Sequence, residues 1–208
     1  MLFSDRLLIG LDRALRTISC QAQMRRPNPA REIAETELST EQQAHAAALM
    51  RINHVGEICA QALYDAQAMF SQDEAVKRRL QRSGIEEEDH LAWTAARLRE
   101  LNSRPSLLNP LWYAGAFAIG SLAAKAGDAI SLGFVVETEK QVEAHLASHL
   151  QALPETDLKS RAIVEQMRLD EIEHGEAAQN LGAKELPAPV KLAMKAAAKC
   201  MTSTAYYI

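Results

Sequence analysis

The chain has 208 residues, 48% of them hydrophobic, and a net charge of −4, which suits one compact domain with appendages. Three cysteines (Cys20, Cys59 and Cys200), far apart and with no CxxC pair, exclude a disulfide framework or thiolate metal site and point to a reducing compartment. Residues 1–31 carry a balance of +4, residues 186–208 one of +3, and the middle −11, so the continuous basic face of a nucleic-acid binder is absent and an acidic body has basic ends suited to an anionic surface.

Aromatic residues make up only 5% of the chain, and alternating β-branched runs are almost absent, so the fold class is all-α. Residues 5–24 read as a first helix, closed by RRPNP at 25–29. Asp5, Arg6, Asp12, Arg13 and Arg16 interrupt its leucines, which is not the pattern of a secretory signal. Ser39 and Thr40 precede a helix that runs to about Phe70, with Gln43 as the capping-box partner of Thr40. A second long helix spans roughly Asp73 to Leu101, ended by Asn102, Ser103 and Pro105. The stretch 105–124 has no charged residue. It approaches the ~20 apolar residues of a membrane span, but Asn109, Pro110, Gly115 and Gly120 interrupt it. A buried crossover or a hairpin dipping into one leaflet are the other readings. A third helix runs from near Gly127 to Pro154, a fourth from Asp157 to about Gly182, and a short terminal helix covers 190–201.

The chemistry lies in carboxylates placed on apolar stripes. In the second long helix the stripe Leu80, Glu87, Leu91, Thr94, Leu98, Leu101 contains one acid, with His90 a turn beyond it. In the fourth, Val164, Met167, Glu171, His174, Ala178, Leu181 repeats that pattern, so Glu-x-x-His occurs twice. The third helix breaks its line Leu132, Val135, Val142, Leu146, Leu150, Leu153 with Glu139 alone, leaving Glu137 to face solvent and Glu143 at the edge. In the first long helix Glu57 lies among Met50, Asn53, Ala60 and Tyr64. Glu57 precedes Glu87 by 30 residues and Glu139 precedes Glu171 by 32. Each half is therefore a helical hairpin that presents two carboxylates and one imidazole at mid-height.

Four carboxylates buried together are intolerable unless something compensates them. The i, i+3 spacing puts each Glu and His on one face, and hard oxygen with borderline nitrogen donors suits iron or manganese. One Glu from each of two helices plus Glu-x-x-His from each of two others is the ligand set of ferritin-like dinuclear sites. Four carboxylates balance two divalent ions. Asp170 is a candidate partner for the second nitrogen of one imidazole. His45, His54, His145 and His149 are read as surface residues or as partners behind the ligands.

The blocks NHVGE (53–57), EEEDH (86–90), VVETEKQVEAHL (135–146) and DEIEH (170–174), with the terminal MTSTAYYI, resemble the demethoxyubiquinone hydroxylases of ubiquinone biosynthesis. The resemblance covers nearly the whole chain from about residue 40. It implies a ferritin-like four-helix bundle and an O2-dependent di-iron monooxygenase acting on a polyprenylated methoxy-methyl-benzoquinol. It also implies metal ligands at Glu57, Glu87, His90, Glu139, Glu171 and His174, the six that the stripes single out. The expected organisation is an N-terminal basic helix and linker over 1–38, the bundle over 39–186, and a basic amphipathic helix over 187–208. Two iron ions and O2 are the expected cofactor and co-substrate. The expected partners are the quinol, a membrane surface, an electron donor and other ubiquinone-biosynthesis proteins, with no nucleic acid. Lys191, Lys195 and Lys199 at i, i+4 spacing and the uncharged 105–124 stretch would make the membrane contact. The absence of an Arg- and Ser-rich, acid-free leader suggests a bacterial protein, at the cytoplasmic face of the cell membrane.

Three rivals follow from the same residues. A ferritin- or rubrerythrin-type protein that stores iron or handles peroxide would use the same dinuclear site. A metal-free helical scaffold would bind partners through its stripes, and a radical subunit would need a tyrosine such as Tyr64 near the centre.

Overall fold

The computed structural model describes residues 3–19 and 21–208, with Cys20 outside them. The described residues form seven helices and no strands: α1 (Phe3–Ile18), α2 (Thr40–Phe70), α3 (Glu74–Glu100), α4 (Asn109–Lys125), α5 (Asp128–Ala152), α6 (Leu158–Asn180) and α7 (Ala188–Ala205).

The bundle is α2, α3, α5 and α6. Residues 71–73 and 153–157 are the whole of the α2–α3 and α5–α6 connections, and loops that short force antiparallel neighbours. Across the halves, Asn53 meets His149, Tyr64 meets Glu139 and Gln67 meets Ser131, so α2 and α5 are also antiparallel. Arg97 with Ser160, His90 with Asp170 and Glu86 with His174 pair α3 and α6 in the same sense.

Local chemistry sets the ends. Ser39 caps α2 in a reciprocal box with Gln42, its hydroxyl accepting from the Gln42 N–H at 3.2 Å and its N–H donating to Gln42 Oε1 at 2.9 Å. That is one residue earlier than the Thr40–Gln43 pair expected from sequence. Asp73 caps α3 by accepting from the N–H groups of Ala75 and Val76. The first helix ends at Ile18 rather than 24. There the Ser19 hydroxyl donates to the Leu15 carbonyl at 2.6 Å, and the described chain from residue 21 runs on without helix to Ser39. The terminal helix is longer than 190–201, because Ala205 and Tyr206 find a seat on α2 with Ile52 and Val55.

The uncharged stretch is the crossover between the two hairpins, folded as α4 and laid along α2, and no helix among the described residues is long and apolar enough to cross a membrane. Small residues allow the close approach: a Cβ on Gly120 would lie 3.1 Å from the Ala66 Cβ and from the Leu63 carbonyl oxygen. Tyr113, Ala116, Ala123 and Ala124 are buried, while Leu107, Leu111, Ile119 and Leu122 point outward.

Gly133 is the tightest backbone approach. A Cβ there would sit 1.9 Å from the Lys184 carbonyl oxygen, on a loop that Lys184 pins to α5 through its N–H bond to Ala129 at 2.8 Å. Gly133→Ala is expected to destabilise the fold by about 1–3 kcal/mol through overpacking. Gly115→Ala, with nothing within 4 Å of its Cβ, should stabilise by about 0.5–1 kcal/mol. Thermal melts of the two variants moving the same way would contradict this.

Candidate metal centre

Two apolar layers leave a polar one between them. One layer gathers Met50, Trp93, Leu98, Leu146, Val164 and Met167; the other gathers Tyr64, Val76, Leu80, Leu132, Val135 and Ala178. Between them the structure brings together all six residues singled out in the sequence: Glu57 from α2, Glu87 and His90 from α3, Glu139 from α5, Glu171 and His174 from α6. None is more than 3% exposed.

Their donor atoms form two overlapping groups: Glu57, Glu87, His90 and Glu171 in one, Glu87, Glu139, Glu171 and His174 in the other, with the atoms of each group within 4.8 Å of one another. Glu87 and Glu171 belong to both groups. His90 Nδ1 lies 2.9 Å from Glu87 and 3.4 Å from both Glu57 and Glu171. His174 Nδ1 lies 3.1 Å from Glu87 and 3.3 Å from Glu171. Both Nδ1 atoms thus face the carboxylates. The Nε2 atoms face outward, His90 to Asp170 and His174 to Glu86, each at 2.8 Å.

The electrostatics are those of a site short of positive charge. Burial, with Glu87 beside it, pushes the Glu57 carboxyl well above the usual carboxylate range, and burial with Glu171 does the same to Glu139. Glu87 is buried too, yet His90 and His174 hold it well below that range. Burial alone would lower both imidazoles, but the surrounding carboxylates raise His90 well above its ordinary value and His174 to about 12. Protons therefore stand in where cations would neutralise the cluster. Glu57 Oε2 and Glu139 Oε2 are buried and accept no hydrogen bond, and a hard cation would satisfy both. The donor set fits a pair of divalent ions.

Sequence reasoning missed two supporting residues, Glu86 and Arg26, and named Tyr64 only as a neighbour of Glu57 and as the tyrosine a radical subunit would need. Tyr64, buried to 3%, donates its hydroxyl to Glu139 Oε1. Burial and Glu139 raise its pKa well above the usual phenol value, so it stays a donor. Glu86 precedes Glu87 as Asp170 precedes Glu171, so the symmetry that nominated one could have nominated the other. Arg26 carried no signal, lying inside the RRPNP breaker, yet it is ion-paired to both Asp89 (2.9 Å) and Asp170 (2.8 Å).

Other expectations are corrected. His54 is fully buried and His149 is 5% exposed, the latter bonded to Asn53 Oδ1 at 2.7 Å. Neither is a surface residue, and neither belongs to the groups around the six donors. Burial lowers His54 to about 4 and His149 to about 3. Glu137 does not face open solvent: it accepts from Gln141, and Lys191 of α7 comes within 3.9 Å of it. Leu181 is 39% exposed, because the α6 stripe ends with the helix. Lys191 also pairs with Glu185 at 2.9 Å, so only Lys195 and Lys199 of the lysine ladder remain exposed.

Beside Glu139 a small cleft opens between α2 and α5, lined by Ala60, Leu63, Tyr64, Gln67, Val135 and Thr138.

The family model described as ubiquinone biosynthesis protein COQ7 matches residues 44–205. Curated relatives named 3-demethoxyubiquinol 3-hydroxylase are similar over the full length. The protein from Janthinobacterium sp. (strain Marseille) is 61% identical over 208 residues, covering all of both chains. That from Herbaspirillum seropedicae is 60% identical with the same coverage, and that from Ralstonia pickettii (strain 12J) is 56% identical over 98% of this chain and 99% of its own.

Proposed function

Because the chain belongs to the ubiquinone biosynthesis protein COQ7 family, we infer that it hydroxylates 3-demethoxyubiquinol with O2 at a dinuclear iron centre. It is an enzyme, a hydroxylase of ubiquinone biosynthesis, and its relatives' shared name favours that over iron storage or peroxide handling. The single observation that carries the metal is the shared pair Glu87 and Glu171, common to two overlapping four-donor groups. Glu57 and His90 would hold one ion and Glu139 and His174 the other, with Glu87 and Glu171 available to both. Two iron ions, when bound and reduced, supply the capacity to activate O2 for insertion into an unreactive ring position.

The chain's own residues supply position and environment. Asp170 and Glu86 each accept from an imidazole Nε2, which fixes the ring and presents Nδ1 to the metal. Tyr64 engages one oxygen of Glu139 and leaves the other for a cation. The two apolar layers keep bulk water from the centre. Apolar side chains of Ala60, Leu63 and Val135 flank the cleft beside Glu139.

A polyprenyl quinol partitions into bilayers, so the enzyme meets it there. The outward leucines of α4 and the exposed Lys195 and Lys199 of α7 support peripheral attachment to the cytoplasmic face of a bacterial cell membrane. The remaining partners are an electron donor and other proteins of ubiquinone biosynthesis.

The test is complementation. A bacterial strain lacking this enzyme should accumulate the demethoxy-quinone, and the gene should restore ubiquinone while the purified protein carries about two iron ions per chain, as dinuclear carboxylate sites do. Restoration by a protein free of metal would overturn the metal assignment. Failure to restore, with the protein folded and loaded, would overturn the substrate.

A further inference from the structure

The N-terminal arm, residues 21–38, precedes the region matched by the family model, yet it reaches the back of one half of the centre. The backbone N–H groups of Arg25 and Arg26 both donate to Asp89 Oδ1, at 2.5 and 3.1 Å. The Arg26 guanidinium then spans α3 and α6, bonding Asp89 Oδ2 through Nε and Asp170 Oδ2 through Nη2, and lies 4.9 Å above the Trp93 ring. Asp170 Oδ2 is the same atom that receives His90 Nε2, and Arg26 Nη2 comes within 3.4 Å of that nitrogen. On the other half, Glu86 plays Asp170's part toward His174, and its hydrogen-bonded partner among the described residues besides that ring is Arg82 of its own helix. The two halves are thus alike in their six donors and unlike in what stands behind them.

We propose that Arg26 is a positioning residue for one metal subsite: the N-terminal arm holds Asp170 against His90 and covers that imidazole, so retention of the ion at Glu57 and His90 depends on the arm while the ion at Glu139 and His174 does not. The inference rests on the dinuclear reading above. An arginine suits the task because its planar fork engages two carboxylates at once and stays charged. Without it, Asp170 keeps Gln166 as its second partner among the described residues and can swing away from the ring. Partners behind metal ligands are typically worth 10–100-fold in affinity, and here that effect falls on one ion of two.

The experiment follows iron(II) release from anaerobically loaded full-length protein into a chromogenic chelator. For Arg26→Ala, half of the iron is expected to leave 10–100-fold faster than from the wild type and half at the wild-type rate. Arg26→Lys, which restores the charge and one of the two contacts, should recover part of the loss. Arg25→Ala is the control for the arm: it removes a surface pair with Glu88 and nothing that touches His90, and should release as the wild type does. Glu86→Gln should speed the other half. Circular dichroism of each variant separates unfolding from loss of position. Equal acceleration of both halves in folded Arg26→Ala, or no acceleration, overturns the inference and leaves the dinuclear reading intact. Wild-type protein that binds no iron overturns both.

Discussion

Glu87→Ala is expected to abolish hydroxylation and remove both ions, a combined loss that only Glu171, the other carboxylate common to both groups, should match. Glu87 lies in both donor groups, is fully buried, and faces His90 at 2.9 Å and His174 at 3.1 Å. Removing it takes a donor from each group and leaves the two imidazoles facing a void beside three remaining carboxylates. The loss should exceed the ~10–100-fold typical of partners behind the ligands, so turnover should fall by well over 100-fold and bound iron should approach zero. Glu139→Ala removes a ligand from one group only. It should also abolish turnover, while leaving the Glu57–His90 ion partly retained. Glu137→Ala, two residues away and turned toward α7, should do neither. Metal analysis and quinol turnover on the three proteins check this ordering, and equal losses from Glu137 and Glu139 would mean that the centre is not where the six donors converge.

Arg97→Ala is expected to cause the largest loss of stability with the centre untouched. Arg97 is 1% exposed and ties three parts of the chain together. It reaches Ser160 and Asp157 at the start of α6, both at 2.9 Å, Glu35 in the N-terminal arm at 2.8 and 3.0 Å, and Glu100 at 2.7 Å. The Asp157 side chain has no exposure, so the substitution strands a carboxylate that also caps α6. Breaking a buried pair from one side costs about 3–5 kcal/mol. The lower end applies because Glu35 and Glu100 are half exposed and rehydrate. A loss of ~3 kcal/mol lowers the melting temperature by roughly 6–12 °C in a protein of this size. Arg168→Ala breaks pairs with Glu143 and Glu165 on the surface and should leave the melting temperature nearly unchanged. A melt in which Arg97→Ala behaves like Arg168→Ala would refute the account.

The stripes show why so much of this centre is legible in the sequence. A buried helix face must be apolar, so a carboxylate on the line at Glu87, Glu139 or Glu171 stands out. Helix geometry then sets its direction without reference to the rest of the chain. What failed did so where direction depends on a neighbour. His54 and His149, which flank the stripes, read from sequence as surface residues or as partners behind the ligands; both are buried, and Asn53 of α2 meets His149 of α5. Glu137 was rotated to the outer side correctly, and what covers it there is α7, an element whose docking no periodicity announces. The uncharged 105–124 stretch became a helix on α2, since alanines and Gly120 permit a close backbone approach that composition alone does not reveal.

The sequence by itself determined the all-helical class, the two hairpins with Glu and Glu-x-x-His at matching offsets, and the identity of the six donors, because helical periodicity is a local property and burial of charge is visible as a breach in it. Only the tertiary structure decided which carboxylates are shared between the two groups, that Asp170 serves His90 across the bundle rather than the imidazole on its own helix, and that Arg26 closes behind them. Those choices are made by side chains 63 to 144 residues apart in sequence meeting at a few ångströms, and such contacts are fixed by how helices pack and not by the pattern along any one of them.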